Sequence, residues 1–457
     1  MITLPAPLKP LADHLIAHDT FPVLVGGYIR DTLLGRESKD IDIEVYNVKD
    51  FETLRLLLEP FGSVCIVGKS FGVMKMEIAG YDLDISLPRT EAKTGPGHRG
   101  FDVRLNPQLD FTTAARRRDF TVNAIGFDLN SSYLLDPYGG QADLHNRILR
   151  CVDPATFVED PLRVLRTVQM AARFKLRCND ALTLLCRKMV KEGYLDELPK
   201  ERIFGEITKL LLKAERPSEG LRLMERIDLL ELFPELDRLS LSRNGLWEQT
   251  LRTVDIMASM RSGNAEEELT LMFAALCHNF EKGAEDPAAG VEATRTFLER
   301  ITNEKELIRS VGLLVEHHLK PLLFFRRGAT PCQIRKLALA LPMERLLKLS
   351  RAHYLGSAEP GSETEAFPAG AWLMEKAEAY GAKPELLKPL LQGRDLIAAG
   401  LPPSEAFSAI LEEAFEAQLE GIFETRDEAL KWLSRRISGN QNGAASPASG
   451  NPTPVQP

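Results

Sequence analysis

Two rhythms of hydrophobic and polar positions divide the chain. Up to about residue 145 the apolar positions fall into short runs and alternations, the spacing of strands, interrupted by glycines and brief helical stretches. Phe21 to Val25 reads as a strand ending at Gly26-Gly27, Tyr28 to Leu34 as a helix closed by Gly35, and Ile41 to Tyr46 as a second strand. Asp50 to Leu58 reads as a helix, and Val64 to Val67, Gly72 to Ile78 and Tyr81 to Leu87 as further strands. Lacking regular βαβ repeats, this region predicts a small mixed α/β unit. From about residue 155 the period turns helical and stays so. Ile203, Ile207, Leu210 and Leu211 line one helical face, as do Leu221, Met224, Ile227 and Leu230, with Pro217 and Pro234 as punctuation.

The fold class is therefore α+β, with expected units at 1–145, 146–240, 241–360 and 361–437 and a soft break from Gly283 to Gly290. A chain of 457 residues can give such units separate cores. Ser438 to Pro457 carries no charge and consists mainly of Ser, Gly, Asn, Ala and Pro, so disorder is expected there.

Composition narrows the class. With 44% hydrophobic and 27% charged residues, the chain reads as an ordinary globular protein. No apolar run reaches the ~20 residues that cross a bilayer, and Met1 to Pro10 lacks the pattern of a signal peptide. Cytoplasm is the expected compartment, with no membrane partner. The six cysteines are scattered without a C-x-x-C pair, which argues for small buried thiols over disulfides or zinc. A net charge of −8 does not suggest a nucleic-acid binder. Between Arg163 and Arg216, however, thirteen Lys/Arg stand against seven Asp/Glu. That excess suits a phosphate grip as well as a solvated helix face.

The chemistry-bearing residues begin at the first glycines. In Leu24-Val25-Gly26-Gly27-Tyr28-Ile29-Arg30-Asp31, two residues without Cβ atoms let backbone approach a triphosphate, and Arg30 adds a donor fork. A tight turn is the simpler account of two glycines alone. Asp40-Ile41-Asp42 follows on the second strand, where period two sends both carboxylates to one face and Ile41 to the other. Paired carboxylates repel unless a cation neutralises them, and such oxygen ligands suit Mg²⁺ held together with substrate phosphates. Two-metal transfer uses a pair of this kind to activate a hydroxyl and steady departing pyrophosphate.

These residues carry a resemblance. Val25-Gly26-Gly27-Tyr28-Ile29-Arg30-Asp31 through Asp40-Ile41-Asp42 is similar to the first motif of class II tRNA nucleotidyltransferases, relatives of bacterial poly(A) polymerases. Arg116-Arg117-Arg118-Asp119-Phe120-Thr121-Val122-Asn123-Ala124 resembles their second motif, and Asp136 through Leu144 the third. Glu159-Asp160-Pro161-Leu162-Arg163-Val164-Leu165-Arg166 resembles their nucleotide-selecting motif. The resemblance implies a nucleotidyltransferase-fold head followed by helical neck, body and tail, with Mg²⁺ on Asp40 and Asp42. It also implies a triphosphate on Gly26, Gly27 and Arg30, with ribose and phosphate contacts from Arg118, Asp119 and Asn123. The implied substrates are the tRNA 3′ end, CTP and ATP, and not DNA.

The fourth motif has a legible mechanism. Asp160, Arg163 and Arg166 stand at i, i+3 and i+6 on a helix that opens at Asp160-Pro161. A carboxylate accepts and a guanidinium donates, so the pair imitates the complementary edge of a base. Cytosine and adenine each present an amine beside a ring acceptor. GTP and UTP reverse that pattern and leave buried groups unpaired, at about 1–3 kcal/mol each. The resemblance implies that Asp160 and Arg163 read the base; an ordinary ion pair is the competing account.

Two departures stand out. Gln169 occupies a position where close bacterial relatives carry arginine. In the body, Ala274 through Gly283 resembles an HD-type phosphohydrolase segment, but Asn279 replaces the metal-binding Asp and Gln249 the first His. Amides are poor ligands for a transition metal, so His278 and His317 or His318 are expected to be core histidines, without hydrolase activity. The resemblance leaves full CCA addition, CC- or A-addition, poly(A) synthesis and an inactive RNA-binding relative open. Val67 to Gly72 lacks the basic residues typical of the polymerases, and Arg89 to Gly100 resembles the flexible loop used for the final A. Both favour full CCA addition.

Overall fold

The computed structural model describes residues 2–67, 72–93, 101–242, 244–280, 288–358, 366–385 and 387–443. Its first unit is built on a seven-stranded sheet of order β3-β4-β5-β2-β1-β8-β9. The strands are β1 (Phe21–Val25), β2 (Asp40–Tyr46), β3 (Cys65–Val67), β4 (Val73–Ile78), β5 (Tyr81–Ser86), β8 (Gly126–Asp128) and β9 (Leu134–Leu135). Five of these match the strands the sequence predicts, to within a residue or two at their ends. The pairings are antiparallel except for β2 with β5, which run parallel.

Alternation along β2 sorts its side chains as the period requires. Ile41, Ile43 and Val45 enter the main core with Leu24 and Ile29. Helices α1 (Lys9–Ala17), α2 (Gly27–Leu33) and α3 (Phe51–Leu58) contribute Leu11, Leu15, Ile29, Leu54 and Leu58 to the same core. Asp50 caps α3 by accepting from the Thr53 amide at 2.8 Å, which is why that helix starts where it does. The opposite face of β2 carries Asp40, Asp42, Glu44 and Tyr46, and there Tyr46 packs with Val23, Val25 and Ala114 in a small second core.

Two expectations change. Arg89 to Gly100, expected as a loop, begins as strand β6 (Arg89–Lys93), which pairs with β7 (Phe101–Leu105) in a separate two-stranded sheet. Cross-strand pairing overrides a polar composition here; positions 94–100 lie outside the described residues, as do 68–71 of the Val67 to Gly72 segment. At the other end, the last helix, Arg426–Gly443, runs past Ser438, where disorder was expected, because propagation extends a formed helix through poor helix formers. Positions 444–457 lie outside the described residues.

Short helices α4 (Phe111–Ala115), α5 (Gly140–His145) and α6 (Pro154–Phe157) lead to the long α7 (Leu162–Phe174), and α7 packs on α9 (Lys200–Lys213) and α10 (Pro217–Arg226) beyond α8 (Asp180–Lys191). Helices continue to the end, and most of the break expected at Gly283 to Gly290 (281–287) lies outside the described residues. One connected apolar core runs from Ile2 to Ala382, while Leu391, Leu396, Ala414, Ala417, Phe423, Ala429 and Leu433 form a separate small one. Cys151, Cys178, Cys186 and Cys277 are buried thiols; Cys65, on edge strand β3, is exposed. Among the described residues no helix is long and apolar enough to cross a membrane.

Candidate active site

The Gly26-Gly27 turn sits at the end of β1, beside the polar face of β2. Gly26 has φ +71, and a Cβ added there would lie 2.9 Å from Asp42 Oδ2 and 3.4 Å from Arg118 Nη1. The turn, the second acid and a motif arginine therefore touch. Asp40 opens β2 exposed, and Asp42 is partly buried behind it. The parallel register sets Asp40 against Asp82 and Asp42 against Asp84 of β5. Sequence reasoning missed this second Asp-Leu-Asp, although its alternation repeats that of Asp40-Ile41-Asp42. Lys75 Nζ lies 3.0 Å from Asp84 Oδ1.

Electrostatics mark this acidic wall. Burial pushes the Asp42 carboxyl up, Arg118 opposes it, and Asp84, Asp40 and Glu44 add to the rise, leaving it above the usual range. A part-buried carboxylate with three acidic neighbours is the donor chemistry a divalent cation relieves. Among the described residues no three His, Cys, Asp or Glu converge on one ion position.

Glu44, also missed, is wholly buried beyond Asp42. Its Oε1 accepts from Arg117 Nη2 at 2.7 Å, its Oε2 from Tyr46 Oη at 2.7 Å, and Arg118 Nη2 lies 3.7 Å away. Burial alone would raise its carboxyl, but Arg118, Arg117 and the Tyr46 hydroxyl hold it below the ordinary value. Arg116, by contrast, is exposed and pairs with Asp153, as a solvated basic turn would.

Arg30, Asp119, Asn123 and Arg166 come together, but in a buried network. Arg30 donates to Asn123 Oδ1 (2.7 Å) and Asp31 Oδ1 (2.9 Å), with its guanidinium 4.1 Å over the Phe174 ring. Asn123 donates to Asp119 Oδ1 (3.0 Å), and Arg166 clasps Asp119 Oδ2 through Nε (2.8 Å) and Nη2 (2.6 Å). Arg30, expected as a donor fork for an anion, and Asp119 and Asn123, expected as sugar or phosphate contacts, pair with one another in this arrangement. Desolvation made pairing with one another obligatory, and Arg30 is only 7% exposed. Burial would raise Asp119, yet Arg166 and Asn123 hold its carboxyl below its ordinary value.

Asp160 precedes α7, its Oδ1 accepting from the Leu162 amide at 3.2 Å. Its Oδ2 accepts from Arg202 of α9 at 3.0 Å, a partner the sequence did not reveal. Arg163 donates from Nη1 to the Thr156 carbonyl at 2.7 Å and from Nη2 to the Arg117 carbonyl. The three motif side chains thus diverge from one helical stripe, with Arg166 turned to Asp119 and Arg163 to the Arg117 backbone. Gln169 is buried on α7, and its Oε1 has no hydrogen-bond partner among the described residues.

A family model described as the poly A polymerase head domain matches residues 23–150. Another, described as a probable RNA and SrmB-binding site of polymerase A, matches residues 184–239. A Multifunctional CCA protein of Methylobacillus flagellatus is 35% identical over 312 residues, spanning 65% of this chain and 73% of the relative. The chain belongs to the class II CCA-adding enzyme family. Solved CCA-adding enzymes share the fold. That of Bacillus stearothermophilus in complex with CTP matches with a TM-score of 0.66 at 20% identity, covering 96% of this chain and all (100%) of its own. That of Thermotoga maritima complexed with tRNA gives 0.60 at 20% identity, covering 94% of each chain.

In this CCA-adding family member the body residues expected from the HD-type resemblance find partners among the helices. Gln249 Nε2 meets His353 Nδ1 at 3.3 Å, and Asn279 Nδ2 donates to Thr250 Oγ1 at 3.0 Å. His278, His318 and His353 form a buried triangle with ring centroids 5.0–5.4 Å apart. His353 comes from a later helix, Met343–Ser357, and no spacing in the sequence joined it to the other two.

Proposed function

We propose that this chain completes the 3′ end of tRNA, adding C, C and A from CTP and ATP without a nucleic-acid template. The RNA 3′-hydroxyl attacks the nucleotide α-phosphate and pyrophosphate leaves. The observation that carries this, beside membership of the CCA-adding family, is the contact of the glycine turn with Asp42 and Arg118. The work is cytoplasmic, and neither membrane nor DNA takes part.

In this proposal the residues divide the task. Gly26 and Gly27 let backbone lie against the triphosphate, and Arg118 faces the same space as its cationic partner. Asp40 and Asp42 would hold Mg²⁺. Once bound, that ion neutralises the carboxylates and polarises the phosphates for in-line displacement. Asp160 and Arg163 present an acceptor and donors to the edge of cytosine or adenine, which requires each to release a contact it makes here. Arg30, Asp119, Asn123 and Arg166 hold the turn against α7 and keep the reading helix in register with the acids. The head spans 1–145, the nucleotide-selecting neck 146–240, the degenerate body 241–360 and the tail 361–437.

The test uses tRNA lacking its 3′ end with Mg²⁺. CTP alone should give CC, and CTP with ATP should give CCA. CC in both tubes, A added only to an existing CC, long A tails or no incorporation each defeats the proposal in favour of a different member of the family. Asp42→Ala should abolish incorporation of every nucleotide.

A further inference from the structure

Glu44 belongs to none of the sequence motifs, yet it stands where two of them meet. It shares the polar face of β2 with Asp42, one pleat (~7 Å) further along the strand, paired across β1 with Val23 and across β5 with Ser86. A fully buried carboxylate is costly unless every lone pair is engaged. Here the engagements are directional: Arg117 on one oxygen, Tyr46 on the other, and Arg118 nearby.

The Arg117 link continues through its own backbone. Its guanidinium is tied to β2 through Glu44, and its carbonyl accepts from Arg163 Nη2. Arg163 also donates to the Thr156 carbonyl, so its guanidinium is aimed by two backbone oxygens, that of Arg117 after α4 and that of Thr156 in α6. Only one of those oxygens belongs to a residue anchored on the acid-bearing strand. A route of four residues therefore runs from the acids to the base-reading arginine: Asp42, Glu44, Arg117 and Arg163.

We propose that Glu44 is a positioning residue for nucleotide choice. By clamping Arg117 to β2, it fixes the carbonyl that aims Arg163, so the base is read in register with the carboxylates of the same strand. This inference rests on the CCA-addition reading above. It differs from a purely structural account in one respect. A buried ion pair that only stabilises the fold affects all nucleotides alike, whereas an aiming device affects right and wrong bases differently.

The experiment measures kcat/KM for CTP, ATP, UTP and GTP on tRNA lacking its 3′ end, with Tm recorded for each variant. Glu44→Gln should lower the preference for CTP over UTP about tenfold, the scale of one lost charge-assisted contact. Arg117→Ala keeps the carbonyl but frees it, and should lower the same ratio by a similar factor. The double variant should be no worse than either alone. Tyr46→Phe removes the other contact of Glu44 and should lower Tm while leaving the ratio at the wild-type value. Should Glu44→Gln fail to fold, Arg117→Ala carries the measurement.

A ratio unchanged in Arg117→Ala, or equal losses for all four nucleotides, overturns the proposal. Incorporation of nothing by the wild-type chain instead overturns the parent reading, and this inference falls with it.

Discussion

Gly26 meets two demands at once. Its φ of +71 is a conformation that side chains rarely adopt, and its missing Cβ is the space in which Asp42 Oδ2 lies. Gly26→Ala should therefore add about 1–2 kcal/mol of backbone strain and push Asp42 away from the turn. A displacement of about 1 Å in such a site costs on the order of a hundredfold in rate. Single-turnover CMP incorporation should fall by that factor while the helical core still melts cooperatively. Asp119 supplies the pH prediction at this scale. Its carboxyl lies lower in the folded chain than in an unfolded one, because Arg166 and Asn123 outweigh burial. A carboxylate of that kind stabilises the fold above the ordinary carboxylate range, and the contribution is lost as pH falls through the lowered value. Asp119→Asn should cost about 3 kcal/mol near neutrality, and the gap in Tm from wild type should close as pH falls below the ordinary carboxylate range. A gap that stays constant with pH would show that shape, not charge, is what Asp119 supplies.

At the scale of elements, what could be read from the sequence depended on how local its cause was. The strands β1, β2, β4 and β5 and the helix capped by Asp50 were legible because period and cap lie within each segment. The paired role of Asp82 and Asp84 was not, because it arises from the parallel pairing of β2 with β5, a contact made between distant segments. The same holds for Arg202 on Asp160 and for His353 beside His278, which only helix packing brings together. Motif chemistry singled out Arg30 and Asp119 but not the partners they have here, which meet through Asn123. Hairpin β6–β7 was hidden by its charged, polar strands. Its assignment to the final step can be tested directly: deleting 94–100 should leave products ending in CC from CTP and ATP, whereas a full CCA product would detach the hairpin from that step.

Across the whole molecule, the largest apolar core and the one near the C-terminal helices imply two levels of stability. The larger runs unbroken from Ile2 to Ala382, and the smaller, around Leu396, Phe423 and Leu433, holds the last three helices together. Between them the helix Pro331–Ala340 meets the helix Ala406–Glu420 through polar contacts: Arg335 Nη1 donates to the Leu419 carbonyl at 3.0 Å, and Lys336 pairs with Glu416. Arg335 Nε also donates to the Tyr380 carbonyl at 2.9 Å, at the edge of the larger core, so a single guanidinium spans both. A seam of this kind transmits little cooperativity, because polar contacts that water can replace add little net stability, whereas a shared core melts as one. Calorimetry should accordingly resolve a small, low-temperature transition ahead of the main one. Arg335→Ala should lower the first by several degrees and shift the second less, since it removes the Leu419 contact but leaves Ile334 and Leu337 of the same helix packed in the larger core. Nucleotide incorporation should then survive heating through the first transition when a short acceptor-stem substrate is supplied. A single transition that Arg335→Ala shifts as a whole would mean that the tail and the catalytic part fold as one unit despite their separate cores.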